Sequence, residues 1–275
     1  MATFLFEKIV FGPVHSRRLG ASLGINLLPV AKKLCNFDCI YCECGWSHIH
    51  NIHKNDLPTR KEVADKLKQK LREMRSEGTK PDVITFAGNG EPTMHPSFKE
   101  ITEDTAMIRN KYFPDCKISL LSNSSLIYKS EIRLALRNID INILKLDTAI
   151  EETYLALNKP AGIGKAHRTI MPGNPKVQNE RKKDEDAFLR KGKAHLELDK
   201  IIESLALFKG HKTIQTLFIR GKNKFSHIDN TTDHEIEALI NAYHKIQPDS
   251  IMVYTFFRDT PTPDLQMISE KELKT

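Results

Sequence analysis

The sequence predicts an α/β fold in which six parallel strands alternate with helices. Three observations support this prediction: short β-type runs recur along the chain, amphipathic helical stretches separate them, and polar, glycine-rich or cysteine-rich residues follow each run. Alternating strands and helices favour parallel strands joined by right-handed crossovers. Six such units form either an open doubly wound sheet or a barrel-like ring, and in both the chemistry collects at the carboxyl ends of the strands.

Each element is predicted from its own local pattern. The six strands are expected at 23–28, 82–87, 117–121, 142–147, 213–219 and 250–256. Helices, marked by apolar residues at three- and four-residue spacing, are expected at 59–76, 97–111, 129–138, 196–209 and 232–246. Thr59 and Glu62 predict a capping box at the start of the first helix. The run at 8–14 predicts an additional strand before the repeat begins.

Length and composition predict an ordinary globular domain. The 275 residues are 40% hydrophobic and 28% charged, which is enough to bury a core and excludes global disorder. No stretch reaches the roughly 18 apolar residues of a membrane span, and the first residues do not follow a signal-peptide pattern. We therefore expect a single domain over 1–275, located in the cytoplasm and without a membrane partner.

The positive charge of the chain is concentrated in one segment. The formal net charge is +7, and residues 159–193 hold ten basic and four acidic side chains, a net charge of +6. The rest of the chain is therefore nearly neutral. The segment contains three prolines and little apolar periodicity, and a long irregular connection is usually a flexible or functional insertion. We predict a basic insertion at 159–193 after the fourth strand.

Three of the five cysteines, Cys35, Cys39 and Cys42, have a spacing that suits a metal cluster. On a loop, this spacing lets three sulfurs bind three corners of an iron–sulfur cubane, which leaves one iron open for another ligand. An odd number of cysteines is a poor disulfide framework. Two alternatives remain open at this point. One is buried, inert thiols, and the other is a zinc site with a fourth ligand from Cys44, His48, His50 or His53.

The residues around the cysteines resemble a known family. The motif Cys35-Asn36-Phe37-Asp38-Cys39-Ile40-Tyr41-Cys42, followed by Gly88-Asn89-Gly90-Glu91-Pro92, is similar to the radical S-adenosylmethionine (radical SAM) superfamily. There, Cys-x3-Cys-x-aromatic-Cys is paired with a Gly-Gly-Glu-Pro-type motif after the second strand. The residues Ser16–Gly20, Tyr254 and Arg258 resemble an unassigned branch, distantly related to the wyosine-forming tRNA enzymes. The resemblance implies a partial (βα)6 TIM-like barrel with an extra N-terminal strand.

The resemblance also implies an activity and its cofactors. Such an enzyme reductively cleaves S-adenosylmethionine, held on a [4Fe-4S] cluster, to a 5′-deoxyadenosyl radical that abstracts hydrogen from a substrate. It needs a one-electron reductant such as flavodoxin or ferredoxin. The implied cluster ligands are Cys35, Cys39 and Cys42.

The residues expected to bind S-adenosylmethionine follow four different strands. Tyr41 would lie beside the adenine, and Asn89, Gly90, Glu91 and Pro92 would contact the methionine ammonium. Asn89 stands in place of the first glycine of the superfamily motif, and asparagine tolerates a left-handed backbone better than other non-glycine residues. Weaker candidates for the ribose or the carboxylate are Ser122, Asn123 and Asp147.

Two alternative functions and several other residues complete the predictions. One alternative is a tRNA-modifying enzyme that uses 159–193 as a basic arm on phosphates. The other is a non-enzymatic iron–sulfur or zinc module, which the glycine–glutamate motif argues against, since an electron carrier needs no site for an S-adenosylmethionine ammonium. Arg17 and Arg18 are expected to bind an acidic substrate group or to pair with carboxylates. Cys116 is expected to be structural.

Overall fold

The structure is a computed structural model that describes residues 4–16, 18–47, 52–160, 195–222 and 227–274. Its strands are β1 (Val10–Ser16), β2 (Gly20–Ile25), β3 (Val83–Phe86), β4 (Lys117–Ser122), β5 (Ile141–Lys145), β6 (Thr213–Leu217), β7 (Ile219–Lys222), β8 (His227–Asp229), β9 (Ser250–Tyr254) and β10 (Leu265–Met267). Its helices are α1 (Arg60–Ser76), α2 (Phe98–Tyr112), α3 (Ser130–Leu136), α4 (Glu151–Asn158), α5 (His195–Leu207) and α6 (Asp233–Ile246).

A seven-stranded sheet in the order β1-β2-β3-β4-β5-β6-β9 forms the centre of the fold. The strand β1 is antiparallel to β2, and the other six strands are parallel to one another. The predicted six parallel strands and the extra N-terminal strand are therefore confirmed. The sheet is open, since no pairing between β1 and β9 closes it within the described residues.

One hydrogen bond nevertheless brings the two ends of the open sheet together. Arg18, in the turn between β1 and β2, donates from Nη2 to the carbonyl oxygen of Val253 in β9 at 2.7 Å. The sheet must therefore curve like part of a barrel, because these strands lie at opposite ends of the strand order. Arg18 therefore binds a backbone carbonyl, whereas the sequence analysis expected an acidic partner.

The helices pack on the sheet through the apolar faces that the sequence pattern predicted. In α1, the buried side chains are Val63, Leu67, Leu71 and Met74, at helical spacing. Each such side chain contributes roughly 1.5–3 kcal/mol by leaving water. Thr59 and Glu62 form the predicted capping box at the start of α1. No helix in the described part of the chain is long and apolar enough to cross a membrane.

The structure adds elements that the sequence pattern did not predict. The helix α4 follows β5, and β10, β7 and β8 form a separate three-stranded antiparallel sheet. Arg220, expected in the loop after the fifth strand, lies in β7 and pairs with Asp229 and Glu272. Of the predicted insertion at 159–193, only Lys159 and Pro160 are described. Residues 161–193 lie outside the described residues.

Glu197 in α5 predicts a dependence of stability on pH. Its side chain is buried, its Oε1 has no hydrogen-bond partner within the described residues, and burial raises the pKa of the carboxyl to about 7. The penalty of ionising it in the folded state therefore grows as the pH rises from the ordinary carboxyl pKa of about 4.3 through 7. We expect Glu197→Gln to raise the free energy of unfolding by up to about 3 kcal/mol at pH 8, and much less at pH 5. Urea denaturation at both pH values measures this, and equal effects would contradict it.

Candidate functional site

The predicted site residues converge at the carboxyl edge of the parallel strands. The cysteine loop, residues 34–47, comes after β2, and the glutamate loop, residues 87–95, comes after β3. Ser122 ends β4, and Asp147 lies two residues beyond β5. An isolated bridge between Leu34 and Gly90 joins the two loops. The structure therefore brings groups from four strands to one edge of the sheet, as the parallel arrangement requires.

Nitrogen donors lie close to two of the three cysteine sulfurs. The backbone N–H of Phe37 donates to Cys35 Sγ at 3.3 Å, and Nδ2 of Asn123 lies 3.6 Å from the same sulfur. Nδ2 of Asn158 lies 3.5 Å from Cys39 Sγ. Hydrogen bonds to sulfur tune iron–sulfur sites, whereas inert buried thiols need none. These donors suit thiolate ligands of a cluster.

The protonation of the cysteines differs along the loop. Burial raises the pKa of the Cys35 and Cys39 thiols above their ordinary value. The pKa of Cys42 falls to about 6, because the Cys44 thiol donates a hydrogen bond to it and the Lys33 ammonium lies nearby. Metal ligands must be thiolates, so binding of iron at Cys35 and Cys39 would release protons.

The geometry of the loop distinguishes a cluster from a zinc site. A structural zinc ion needs four side chains that meet at one centre. Among the described residues, no three His, Cys, Asp or Glu side chains are arranged to hold a single metal ion. In a cubane, each cysteine binds a different iron, so the sulfurs need not meet at one point. The donor set therefore fits an iron–sulfur cluster better than zinc, although His48 and His50 lie outside the described residues.

Glu91 connects the glutamate loop to β4 and to the cysteine loop. It is buried, its Oε1 accepts from Ser122 Oγ at 2.9 Å, and it caps the 3-10 turn Pro92–Met94. Its Oε2 accepts from the backbone N–H of Asn123 at 2.6 Å, and Asn123 Nδ2 donates to Asn36 Oδ1 at 2.9 Å. Burial raises the pKa of Glu91, although these hydrogen bonds oppose the shift. Glu91, Ser122, Asn123 and Cys35 thus belong to one continuous network.

Asn89 does not have the left-handed backbone that the sequence analysis expected, and its side chain has a structural role. Positive φ angles occur at Gly88 (157°) and Gly90 (137°), but not at Asn89, so the expectation of a left-handed backbone there is wrong. Its buried side chain accepts from the N–H of Phe6 at 2.8 Å and donates to the carbonyl of Pro29 at 2.9 Å. A glycine lacks these groups. Asn89 therefore fixes the N-terminal segment and the chain before the cysteine loop against the glutamate loop.

Asp147 is the centre of a second buried network, and it is 2% exposed. Its Oδ2 accepts from the Tyr41 hydroxyl and from Asn158 Nδ2, the latter at 2.9 Å. Its Oδ1 accepts from the Leu217 N–H at 3.0 Å and lies 3.3 Å from Lys145 Nζ. Both carboxylate oxygens are therefore occupied by protein donors. This geometry suits a residue that orients Tyr41 and Asn158.

Lys145 is a site residue that the sequence analysis missed. Its ammonium lies 4.8 Å from the ring centre of Tyr41 and 4.9 Å from that of Tyr254, and it donates to the Tyr254 hydroxyl. Burial opposes its charge, but the Asp147 carboxylate and the bond to Tyr254 outweigh burial and raise its pKa. A lysine at the end of a buried strand, two residues before an aspartate, was the available signal.

A cavity opens between the two networks. Its lining includes Cys39, Asn123, Lys145, Asp147 and Asn158, together with apolar side chains from α4 and α5. These residues come from the cysteine loop and from the ends of β4, β5 and α4. The cavity therefore borders both the cysteine loop and the polar groups at the ends of β4 and β5.

The remaining candidates lie around this centre or away from it. Cys44 Sγ lies 3.7 Å from the carbonyl oxygen of Gly88, and Arg258 pairs with Glu43 at 2.9 Å. Cys116 is buried just before β4, at the opposite edge of the sheet, in agreement with a structural role. Arg17 lies outside the described residues.

The chain is similar in sequence to known proteins. The chain is 33% identical over 152 residues to a UPF0026 protein of Methanocaldococcus jannaschii, covering 55% of this chain and 44% of that protein. It is 28% identical over 270 residues to a Brachyspira hyodysenteriae protein named GTPase Obg, covering 98% of this chain and 33% of that protein. The chain thus spans about a third to a half of the length of these relatives.

A solved structure shares the fold. The structure of TYW1 with a lysine-pyruvate adduct bound superposes with a TM-score of 0.52 at 14% identity, covering 92% of this chain and 70% of that one. The sequence model of the radical SAM superfamily matches residues 33–170, which is 138 of the 275 residues. That match includes the cysteine loop, the glutamate loop, Asn123 and Asp147. The chain therefore belongs to the radical SAM superfamily.

Proposed function

We propose that this chain is a cytoplasmic enzyme that binds a [4Fe-4S] cluster through Cys35, Cys39 and Cys42 and reductively cleaves S-adenosylmethionine. The superfamily to which it belongs uses this cluster and this cosubstrate. When bound, the cluster supplies the electron that splits S-adenosylmethionine into methionine and a 5′-deoxyadenosyl radical. The observation that carries the proposal is the network from Glu91 through Asn123 to Cys35, which links both motifs at one edge of the sheet.

The residues around the cysteines hold and orient the cosubstrate in this proposal. The glutamate loop presents Gly90 and Pro92 beside the cysteine loop, and Glu91 supplies negative charge for the methionine ammonium. Ser122 and Asn123 remain candidates for the ribose or the carboxylate. The Tyr41 ring keeps its proposed place beside the adenine.

For Asp147 the geometry favours a positioning role. Its two oxygens accept hydrogen bonds from Tyr41, Asn158 and the backbone of Leu217, and one oxygen is paired with Lys145. A ribose hydroxyl would have to displace one of these donors. We therefore propose that Asp147 fixes the Tyr41 hydroxyl and the Asn158 amide, and that Asn158 and Lys145 form a polar wall of the cavity.

We propose that Lys145 does not form a covalent adduct with a substrate. TYW1 was solved with a lysine-pyruvate adduct bound, and an amine attacks a carbonyl group only when it is unprotonated. The amine that lines the cavity here belongs to Lys145, whose pKa is raised by Asp147 and Tyr254 although burial opposes this. We propose that Lys145 acts as a fixed cation. The tRNA alternative depends on residues 159–193, of which 161–193 lie outside the described residues.

The proposal is tested by the products of S-adenosylmethionine cleavage. The purified chain is reconstituted anaerobically with iron and sulfide, then incubated with S-adenosylmethionine and dithionite, which replaces the flavodoxin or ferredoxin expected in the cell. We expect 5′-deoxyadenosine and methionine to form in equal amounts, and neither to form when dithionite is left out. A protein that carries its full complement of iron and yet releases no 5′-deoxyadenosine would refute the proposal.

A further inference from the structure

A fully buried lysine immediately precedes the cysteine loop. Lys33 comes two residues before Cys35 and is 2% exposed. Among the described residues, its side chain is one of the largest that are almost completely buried. The adjacent lysine is different: the side chain of Lys32 is 42% exposed and lies 3.8 Å from Asp56. Lysine is almost never fully buried without compensation. The burial of Lys33 therefore calls for an explanation that Lys32 does not need.

The partners of Lys33 hold its ammonium inside the loop. Its Nζ donates to the carbonyl oxygen of Gly45 at 2.8 Å and lies 3.5 Å from Asp38 Oδ1. Asp38 also accepts from the N–H of Ser47 at 2.6 Å, and Ser47 Oγ donates to the carbonyl of Cys35 at 2.7 Å. The ammonium thus touches the chain both between the first two cysteines and after the third. Its position is fixed by the path of the loop.

These contacts do not balance the charge of Lys33. A buried ammonium carries a large desolvation penalty unless negative charge lies close to it. Asp38 is 3.5 Å away and its side chain is 32% exposed, so water weakens that interaction. The other groups that would carry negative charge nearby are Cys35, Cys39 and Cys42 once they bind a cluster as thiolates, and each lies close enough to interact electrostatically with Lys33.

We propose that Lys33 is a positioning residue whose fixed positive charge raises the reduction potential of the cluster held by Cys35, Cys39 and Cys42. The proposal rests on the proposed function, since it requires a cluster at these cysteines. Net charge and hydrogen bonds near the sulfurs set the potential of an iron–sulfur cluster. Reduction adds one negative charge to the site, so a nearby cation stabilises the reduced form more than the oxidised form.

The test is a redox titration of the reconstituted protein, followed by electron paramagnetic resonance of the reduced cluster. Lys33→Met removes the charge and keeps a long side chain, and Lys32→Met is the matched control at the exposed neighbour. We expect Lys33→Met to lower the ratio of reduced to oxidised cluster at a given potential by about tenfold, a shift of about −59 mV for one electron. Lys32→Met should titrate like the unmodified protein.

A second variant is expected to shift the reduction potential in the opposite direction, so the test does not depend on Lys33→Met being folded. Asp38→Asn keeps an acceptor for the Ser47 N–H but removes the carboxylate that partly neutralises Lys33. We expect its cluster to become easier to reduce. If Lys33→Met does not fold, Asp38→Asn and Lys33→Arg test the proposal instead. We expect Lys33→Arg to have a reduction potential near that of the unmodified protein.

The outcomes separate this inference from the proposed function. Clusters that form in every variant with one common midpoint potential would overturn the role of Lys33 and leave the cluster site intact. An unmodified protein that takes up no cluster would overturn both. A potential that falls equally in Lys33→Met and Lys32→Met would also overturn the inference, because the effect would then come from overall charge.

Discussion

Replacing Gly90 by alanine is expected to lower the free energy of unfolding by more than about 4 kcal/mol, an exceptional value for one substitution. A Cβ atom at Gly90 would lie 1.7 Å from the carbonyl oxygen of Leu34 and 2.4 Å from its carbon, and φ at Gly90 is 137°. Leu34 cannot move away easily, because its N–H donates to Asn89 at 2.8 Å and its carbonyl accepts from Glu91 at 3.0 Å. The substitution would therefore separate the cysteine loop from the glutamate loop.

Gly78 provides a matched control for this prediction. It also has a left-handed backbone, with φ of 68°, but no atom lies within 4 Å of a Cβ built there. Gly78→Ala should therefore cost only the backbone strain, about 1 kcal/mol. Urea denaturation of both variants, compared at an unchanged m-value, measures the difference. Equal losses in the two variants would show that the contact with Leu34 does not control the position of the loop.

The repeating part of the fold could be predicted because it depends on local periodicity. The helix from Arg60 to Ser76 was predicted to begin after Thr59, since the capping box and the apolar spacing both indicate that start. The strands at the centre of the sheet begin and end within a few residues of their predicted bounds. The helix Glu151–Asn158 was missed, because its eight residues offer only two turns of pattern. The small sheet was missed because its strands have three or four residues.

The sequence predicts those residues of the candidate site that belong to a short motif. The cysteines and the residues from Asn89 to Pro92 carry a spacing that the chemistry requires, and the structure places both motifs together. The roles of Lys33, Lys145 and Asn158 depend on contacts across long stretches of sequence. In a sequence, a lysine usually indicates a solvent-exposed surface. Only the structure shows that Lys33 is buried and bound to the carbonyl oxygen of Gly45. Likewise, the occupied oxygens of Asp147 become visible only when Leu217 and Tyr41 are placed around it.

The largest expected effect on activity comes from the cysteine ligands, and Cys39 offers the best-controlled case. Under the proposed function, Cys39→Ser should reduce the iron content after reconstitution and lower 5′-deoxyadenosine formation by more than about 100-fold, beyond the 10- to 100-fold typical of groups outside the ligand shell. Asn158→Ala, which removes the amide 3.5 Å from Cys39 Sγ, should fall within that smaller range.

Cys116→Ser separates the loss of a ligand from the effect of burying a hydroxyl group. Cys116 is 4% exposed and Cys39 is 9% exposed, so both substitutions replace a buried thiol by the same polar group. Only Cys39 lies at the carboxyl edge of the strands, however, and Cys116 precedes β4 at the other edge. Cys116→Ser should therefore keep its iron and its rate of 5′-deoxyadenosine formation even if its melting temperature falls. If both variants lose activity in proportion to their loss of stability, Cys39 is a core residue and the ligand assignment fails. If Cys39→Ser alone loses iron at an unchanged melting temperature, the thiolate of Cys39 holds the cluster.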